Sequence, residues 1–570
     1  MSSNCPPLSR CGKPSRRSLA IPVGQLAYWS AVAVIFVWAA WLRFRLPLDP
    51  IADHGTWGYL SPALRKLTGA EFGHTYGRNF IYPGFIYLLL RGFGDFRAIT
   101  ATQHVLGLLA GAILLVTWQR LRVFVANPRI GPVAHSALGL LAAAIFLWAS
   151  DPIQFEMGLR PEGISAFLIS LNMYLAIQFI ACFFVEGRRV ASIAYGIATV
   201  FSSIALASAK PSFWLASIVM VLPVAMFFFQ RGLMWEKVAL GGGAAVSAVL
   251  LLLPEHFLSR NDKESETLLP SVLFAVHADL IRDQMAEDLR RDAKVPYSRE
   301  WLERVYAALS AEIKEAIVAN HFRTLGFDPD YLMYGKEYHK DSFAVQLRRE
   351  FGGNVSALCT FYWFYYWRIW RERPLLVVKK IARQMAIFYA PKCPAYHLRK
   401  FLPLTDEYNR GMTSLSSEAY RKVWTTYPPA VEFMGRVELL ARRAPIVQQP
   451  AYIRRPLGLL AETYVPLLLI ALAASAAVLL QERYRKHLGW LAALVLVAYM
   501  YNAAACLEVA VIHSLDYRRY ITVQMFPALL AQFLALWFVL ESAIEMRTRA
   551  KSSCSDTGSM YRSGPNAGYG

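Results

Sequence analysis

Gly163-Ile164-Ser165-Ala166-Phe167-Leu168-Ile169-Ser170-Leu171-Asn172-Met173-Tyr174-Leu175-Ala176-Ile177-Gln178-Phe179-Ile180-Ala181-Cys182-Phe183-Phe184-Val185 carries no charged side chain, and it is bounded by Glu162 at one end and by Glu186, Arg188 and Arg189 at the other. Coiled at about 1.5 Å per residue, 163–185 spans the roughly 30 Å of hydrocarbon in a bilayer, where a helix satisfies every backbone N–H and C=O internally. Outward from it, comparable runs stand at 25–44, 102–119, 134–150, 190–209, 212–230, 237–254, 461–480, 487–510 and 520–542. The pattern is that of an all-α polytopic membrane protein with about ten transmembrane helices. Composition agrees, since 56% hydrophobic and 14% aromatic residues in a chain of 570 are too many for an ordinary soluble protein.

The formal charge of +20 invites a nucleic-acid reading, but the basic residues form short clusters between apolar runs and no amphipathic basic face. Nucleic acid is therefore excluded as a partner, and the bilayer takes its place. With the amino terminus cytoplasmic, the inside segments hold Arg10, Lys13, Arg16 and Arg17; Arg120, Arg122 and Arg129; Arg188 and Arg189; Arg231 and Lys237; Arg483, Arg485 and Lys486; and Arg547, Arg549 and Lys551. Every inside segment is basic, as the positive-inside rule requires.

This topology divides the chain into a basic cytoplasmic stretch (1–24), seven spans with a first external loop at 46–100 (25–254), a large external domain (255–458), three further spans (459–545) and a tail (546–570) expected to be disordered and cytoplasmic. The first apolar run follows basic residues but reaches Trp41-Leu42-Arg43 without a small-residue cleavage site, so a retained signal anchor is expected. In the external domain, Arg282 to Arg304 reads as solvated helix. The run Phe361-Tyr362-Trp363-Phe364-Tyr365-Tyr366-Trp367, followed by Arg368, Arg371 and Arg373, suits a helix lying in the interface or an additional span at 357–390. Cys359 and Cys393 share that external region, bridged or free.

The acids and bases that interrupt apolar sequence all fall at the external ends: Asp49, Asp53 and His54 in the first loop, Arg78 and Tyr82 later in it, Glu156, Arg160 and Glu162 in the next turn, Lys210 in the following one, and Glu508, His513, Asp516, Arg518, Arg519 and Tyr520 in the last. Such residues near or inside a bilayer are costly unless paired, and they mark sites. Glu156 and Arg160, four apart, have ion-pair spacing if helical, and Glu508 is expected to pair with His513 or a basic neighbour.

The first loop reads Asp49-Pro50-Ile51-Ala52-Asp53-His54-Gly55-Thr56-Trp57-Gly58-Tyr59 and continues to Arg78-Asn79-Phe80-Ile81-Tyr82-Pro83-Gly84. An acid just after the first span, a short Trp/Tyr helix and Arg-x-x-x-Tyr-Pro before the second span resemble the C-type glycosyltransferase superfamily of integral membrane enzymes. Within it, the likeness is to bacterial relatives of protein O-mannosyltransferases and of lipid A aminoarabinose transferases. It covers 25–215 and 510–527, including Ser208-Ala209-Lys210-Pro211-Ser212 and His513-Ser514-Leu515-Asp516-Tyr517-Arg518-Arg519-Tyr520, but not the external domain. The resemblance implies a polyprenyl-phosphate sugar donor, an envelope lipid, glycan or protein as acceptor, and a catalytic base at Asp53. Members often carry two adjacent acids where this chain has Asp53-His54; no cofactor is expected, and a divalent metal is not required by this pattern.

The chemistry stands beside the family. An acceptor hydroxyl that displaces phosphate from a sugar needs a base within hydrogen-bond reach, and a carboxylate near an oxocarbenium-like centre stabilises it. Asp53 fits that role and also the place of a cap for the helix beginning near Thr56, for which Asp49 is an equal candidate. The phosphate needs cations, supplied by Lys210, Arg518, Arg519 and Arg78, while snorkelling to headgroups is the ordinary use of any one of them. The expected function is an inverting glycosyltransferase acting on the periplasmic face of a bacterial inner membrane, with both chain ends cytoplasmic. Its rivals are a transporter or lipid flippase, in which such charges mark a translocation path, and a non-enzymatic scaffold.

Overall fold

The computed structural model describes residues 23–53, 55–72, 79–259, 266–320, 322–334, 342–416 and 425–560, with side chains except at 23, 259, 334 and 549–560. Among the described residues, nine helices are long and apolar enough to cross a membrane: Gly24–Phe44, Arg97–Phe124, Glu162–Val185, Arg189–Ala209, Pro211–Phe228, Met234–Leu258, Ala451–Leu480, Glu482–Ile512 and Met525–Thr548. The number becomes ten if Pro132–Trp148 and Ser150–Met157, which meet at a bend of 47°, are one broken span. Ala149 leaves the helical region there (ψ 140°), and Pro152 lies in the first turn of the new helix, where its missing N–H breaks no bond. Every apolar run of the sequence lies on one of these helices. The chain is an all-α multi-pass membrane protein.

Among the described residues, the segment 255–458, expected from the sequence to be an external domain, is helical except for one antiparallel ribbon, Phe401–Pro403 against Ile446–Gln448, and it has two parts. In the first, Leu268–Val276, Ala278–Arg291, Arg299–Val318 and Val355–Glu372 pack together. The stretch Arg282 to Arg304, expected to be solvated, buries Gln284, Met285 and Asp288 on one helix and Leu302 on the next, on faces that continue into Ile281 before it and Val305, Leu309 and Ile313 after it. The aromatic run is neither an additional span nor mainly an interfacial helix. Phe361, Tyr362, Tyr365 and Tyr366 are buried against Phe274, His277, Tyr297 and Trp301, and only Trp367, 60% exposed, is largely open. Rings at i, i+1, i+4 and i+5 share one helical face, so half of the run fills this domain's own core. Cys359 and Cys393 are free thiols.

The second part does not stand apart from the membrane portion. Leu404–Leu415 and Pro428–Arg443 share an apolar cluster with the first-loop helices Trp57–Leu67 and Ile81–Phe93, and Phe433 stacks on Phe96 at 4.3 Å. Arg436 ties the two through Asp49 at 2.7 Å and Asp95 at 3.0 Å, while the Tyr408 hydroxyl donates to the Asp49 carbonyl at 2.6 Å. The last helix continues past its apolar span, Met525–Thr548, to Met560, where the sequence suggested a tail without structure. Residues 561–570 lie outside the described set.

Candidate functional site

Ile51 and Gly158 form an isolated parallel bridge, with Ile51 N–H donating to Met157 O at 2.7 Å and Leu159 N–H donating to Ile51 O at 2.9 Å. Side chains two residues further along both strands of a parallel pair fall on the same side. Those residues are Asp53 and Arg160, and they form an ion pair. The Asp53 Oδ1 atom also accepts from Gly55 N–H and the Thr56 hydroxyl, both at 3.0 Å, while Thr56 Oγ1 accepts from Asp53 N–H at 2.8 Å. Asp53 thus closes the turn that precedes the Trp57 helix without capping it, since that helix has Thr56 as its N-cap and no side-chain cap bond, and it presents its other oxygen to Arg160. The Asp49 side chain does no capping here; it is held by Arg436.

Beyond Arg160 the site is cationic. Lys210, buried in the turn between two spans, donates to Glu162 Oε1 at 2.6 Å and lies 5.3 Å from the Tyr520 ring. Arg519 sits over the Tyr517 and Tyr520 rings at 4.8 and 4.9 Å and donates to the Tyr520 hydroxyl at 3.1 Å, yet its buried Nε has no acceptor. Burial pushes the Lys210 ammonium below its usual range, opposed by Glu162 and reinforced by Arg519 and Arg160. Burial and then Arg519 push the Arg160 guanidinium down to about 10. Three cations therefore face two carboxylates, Asp53 and Glu162. Tyr82 lies beside them, donating to Gln103 Oε1 at 2.9 Å; burial and then Glu162 hold its hydroxyl well above the usual range.

Several expected pairings are replaced. Glu156 does not meet Arg160, because its helix ends at Glu156 and the four-residue spacing is never coiled. It instead takes a two-pronged grip from Arg43, both bonds at 2.8 Å, and a third contact from His104 Nδ1 at 2.8 Å. Arg43 is fully buried, and its remaining donors reach the Ala39 and Leu147 carbonyls. A Cβ added at Gly107 would lie 1.9 Å from Glu156 Oε1, so glycine makes room for this pair. Glu508 meets neither His513 nor a base. It accepts from Leu215 N–H at 2.8 Å and caps the helix that begins at Trp214.

Arg518 and Arg519, adjacent in sequence, diverge. Arg518 pairs with Asp151, and His397 Nδ1 lies 3.4 Å away. Asp516 accepts from the N–H and hydroxyl of Thr324 at 2.8 and 3.1 Å, docking the external domain on the last turn. His513 Nε2 faces Asp330 at 3.7 Å; burial pushes the Asp330 carboxyl up, but His513 and Arg519 outweigh it and leave the group below the usual range. His54 and Arg78 lie outside the described residues. The sequence reading missed Arg43, His104 and Asp151, although each is ionisable in or beside an apolar run and carried the same signal as Glu508. It also missed His397 and Arg436, which only the folding of the external domain brings near.

Among the described residues, no three His, Cys, Asp or Glu side chains gather as a metal site. Compared with known proteins, the chain matches no family model, no curated protein and no solved structure.

Proposed function

We propose that the chain is an integral membrane glycosyltransferase, taking a sugar from a polyprenyl-phosphate donor to an acceptor hydroxyl or amine on the periplasmic side of a bacterial inner membrane, with inversion. The observation that carries this reading is the meeting of Asp53, Arg160, Glu162, Lys210 and Arg519, from four separate stretches of sequence, at one end of the helical bundle. In the proposed step the acceptor oxygen bonds to the anomeric carbon, the bond from that carbon to the phosphate oxygen breaks, and the acceptor proton passes to Asp53. Charge then grows on the leaving phosphate. Arg519, whose Nε lacks an acceptor, and Lys210 supply donors for it, the guanidinium as a planar fork and the ammonium as a point charge. Arg160, released from Asp53 by the incoming phosphate, joins them.

The test is transfer of radiolabelled sugar from polyprenyl phosphate in reconstituted vesicles. Asp53→Asn keeps an Oδ1 acceptor for Gly55 and Thr56 but removes the base, so the expected fall in rate is about 10²- to 10⁴-fold with unchanged melting. Equal turnover by both forms would reject Asp53 as base. No transfer by the native chain from any carrier would reject the transferase and favour a transporter.

A further inference from the structure

The helix Pro374–Phe388 follows the aromatic helix and turns one narrow stripe inward: Val377, Ile381, Gln384 and Phe388, at spacings of four, three and four, are its buried residues. That stripe lies against the ends of two spans. Phe388 meets the Tyr464 ring at 5.6 Å, Gln384 Oε1 accepts from the Ser514 hydroxyl at 3.0 Å and from Leu515 N–H at 2.9 Å, and just beyond the helix Cys393 N–H donates to the Ala461 carbonyl at 2.9 Å. Ala461 stands two residues before the uncharged run 463–480 of its span, and Ser514 two residues past the end of Glu482–Ile512. The helix therefore sits where these spans pass from hydrocarbon to headgroups.

Its opposite face has no protein cover. Leu375, Lys379, Ala382, Arg383 and Ala386, at i, i+4, i+7, i+8 and i+11, are all exposed, Leu375 by 82%, and the exposed Leu376 and Val378 flank them. Lys379 and Arg383 stand about one turn apart, and neither forms an ion pair among the described residues. From Pro374 to Thr405 the chain carries six Lys or Arg and no Asp or Glu. Bare leucine is unfavourable in water and a bare cation in hydrocarbon, so a face that holds both is at rest only in the layer between them. Trp367, open near the end of the preceding helix, and Trp363, stacked on it at 6.2 Å, are of the residue type that prefers this layer.

We infer that the face from Leu375 to Ala386 is a seat for anionic phospholipid of the surrounding bilayer, with the leucines and the Lys379 and Arg383 stems among the first acyl carbons and both cations on the lipid phosphate. Arg383 offers a planar fork of donors and Lys379 a mobile point charge, each on a stem long enough to bury its methylenes while its tip stays at the headgroup. Ala382 and Ala386 are small beside them and leave room for lipid against the backbone. The lipid acts here as solvent and not as a reactant, on the side of the helix turned away from Ser514, and the seat stands whether or not the chain transfers sugar.

The experiment reconstitutes the full chain in phosphatidylcholine vesicles that hold a trace of photoactivatable phosphatidylglycerol in one arm and photoactivatable phosphatidylcholine in the other, each with its diazirine next to the headgroup. Labelled positions are located by mass spectrometry. In the native chain, label on 374–388 is expected to be about fivefold heavier from phosphatidylglycerol. Lys379→Gln with Arg383→Gln should bring the two lipids level, and Lys379→Arg with Arg383→Lys should keep the preference. Label on the mostly exposed span Met234–Leu258 should be the same in all three chains, which shows that the variants are folded and inserted. Equal label from both lipids on 374–388 of the native chain would overturn the seat, as would a preference untouched by the double glutamine change. Label on Met234–Leu258 with none on 374–388 from either lipid would overturn it as well, and would give the face to a second copy of the chain.

Discussion

Arg43 and Glu156 are oppositely charged, almost inaccessible and matched by two parallel hydrogen bonds, with His104 on the same carboxylate. Removing one partner of such a pair strands the other, which costs about 3–5 kcal/mol, whereas the intact pair adds little over an apolar replacement. Glu156→Leu should therefore lower the melting temperature in detergent more than the double change Arg43→Leu with Glu156→Leu; a double variant that melts lower still would show the pair to be strongly stabilising in itself. Gly107→Ala tests the same contact from the opposite side, since its methyl would displace the carboxylate, at a cost of about 1–3 kcal/mol. At this scale Asp53, Lys210 and Arg519 were legible because charge at the end of an apolar run is expensive and rare. Their partners were less so. The Glu156 to Arg160 spacing misled because pair rules assume one continuous helix, and Glu508 misled because a backbone N–H satisfies a carboxylate as well as a cation does.

The element that decides the position of Asp53 is the short bridge between 51 and 158, backed by the Leu404–Leu415 helix. Gly411 on that helix presses so closely that a Cβ would sit 2.9 Å from the Ala52 carbonyl oxygen, one residue before Asp53. The neighbour there is backbone and has little freedom to yield. Gly411→Val is expected to shift the loop and slow transfer at least tenfold, because misplacement by about 1 Å can cost around 10² in rate, while the spans stay folded. A variant with native turnover would show that the loop is positioned from the membrane side alone. No sequence pattern announces this contact, because a glycine in a helix exposes nothing of what it lies against. The spans were legible from long uncharged runs. The aromatic helix was not, since seven consecutive rings carry no periodicity to say which face is buried.

Across the whole molecule, the external domain grips the membrane portion at both ends of the first loop and at the last turn. Its integrity is tied to pH through His277, whose Nδ1–H donates to the Leu273 carbonyl at 3.0 Å while Nε2 is buried without a partner. Burial, with Lys380 second, holds its pKa down at about 4. Above about pH 6.5 the ring is neutral folded or unfolded and the group has no effect. Between about 6.5 and 4 only the unfolded chain takes up the proton, so stability declines as pH falls, by up to about 1.4 kcal/mol per pH unit. His277→Gln should flatten that part of a denaturation profile; a slope identical to the native one would place the titration elsewhere. The succession of long apolar helices interrupted by one large mixed segment was visible in the order of apolar and charged stretches. That the second part of this segment fuses with the first loop was not, because their apolar residues lie hundreds of positions apart and neither stretch alone shows what it covers.

The embrace of Asp53 by Arg160 has a final consequence under the proposed function. Water is always present at the membrane surface and is a competing nucleophile that any exposed base would activate, wasting an activated lipid each time. A base kept occupied by a guanidinium, and vacated only when phosphate draws that guanidinium off, stays idle until the donor has arrived. The resting contact thus acts as an economy measure for the cell, making hydrolysis of donor in solution rare without a moving lid.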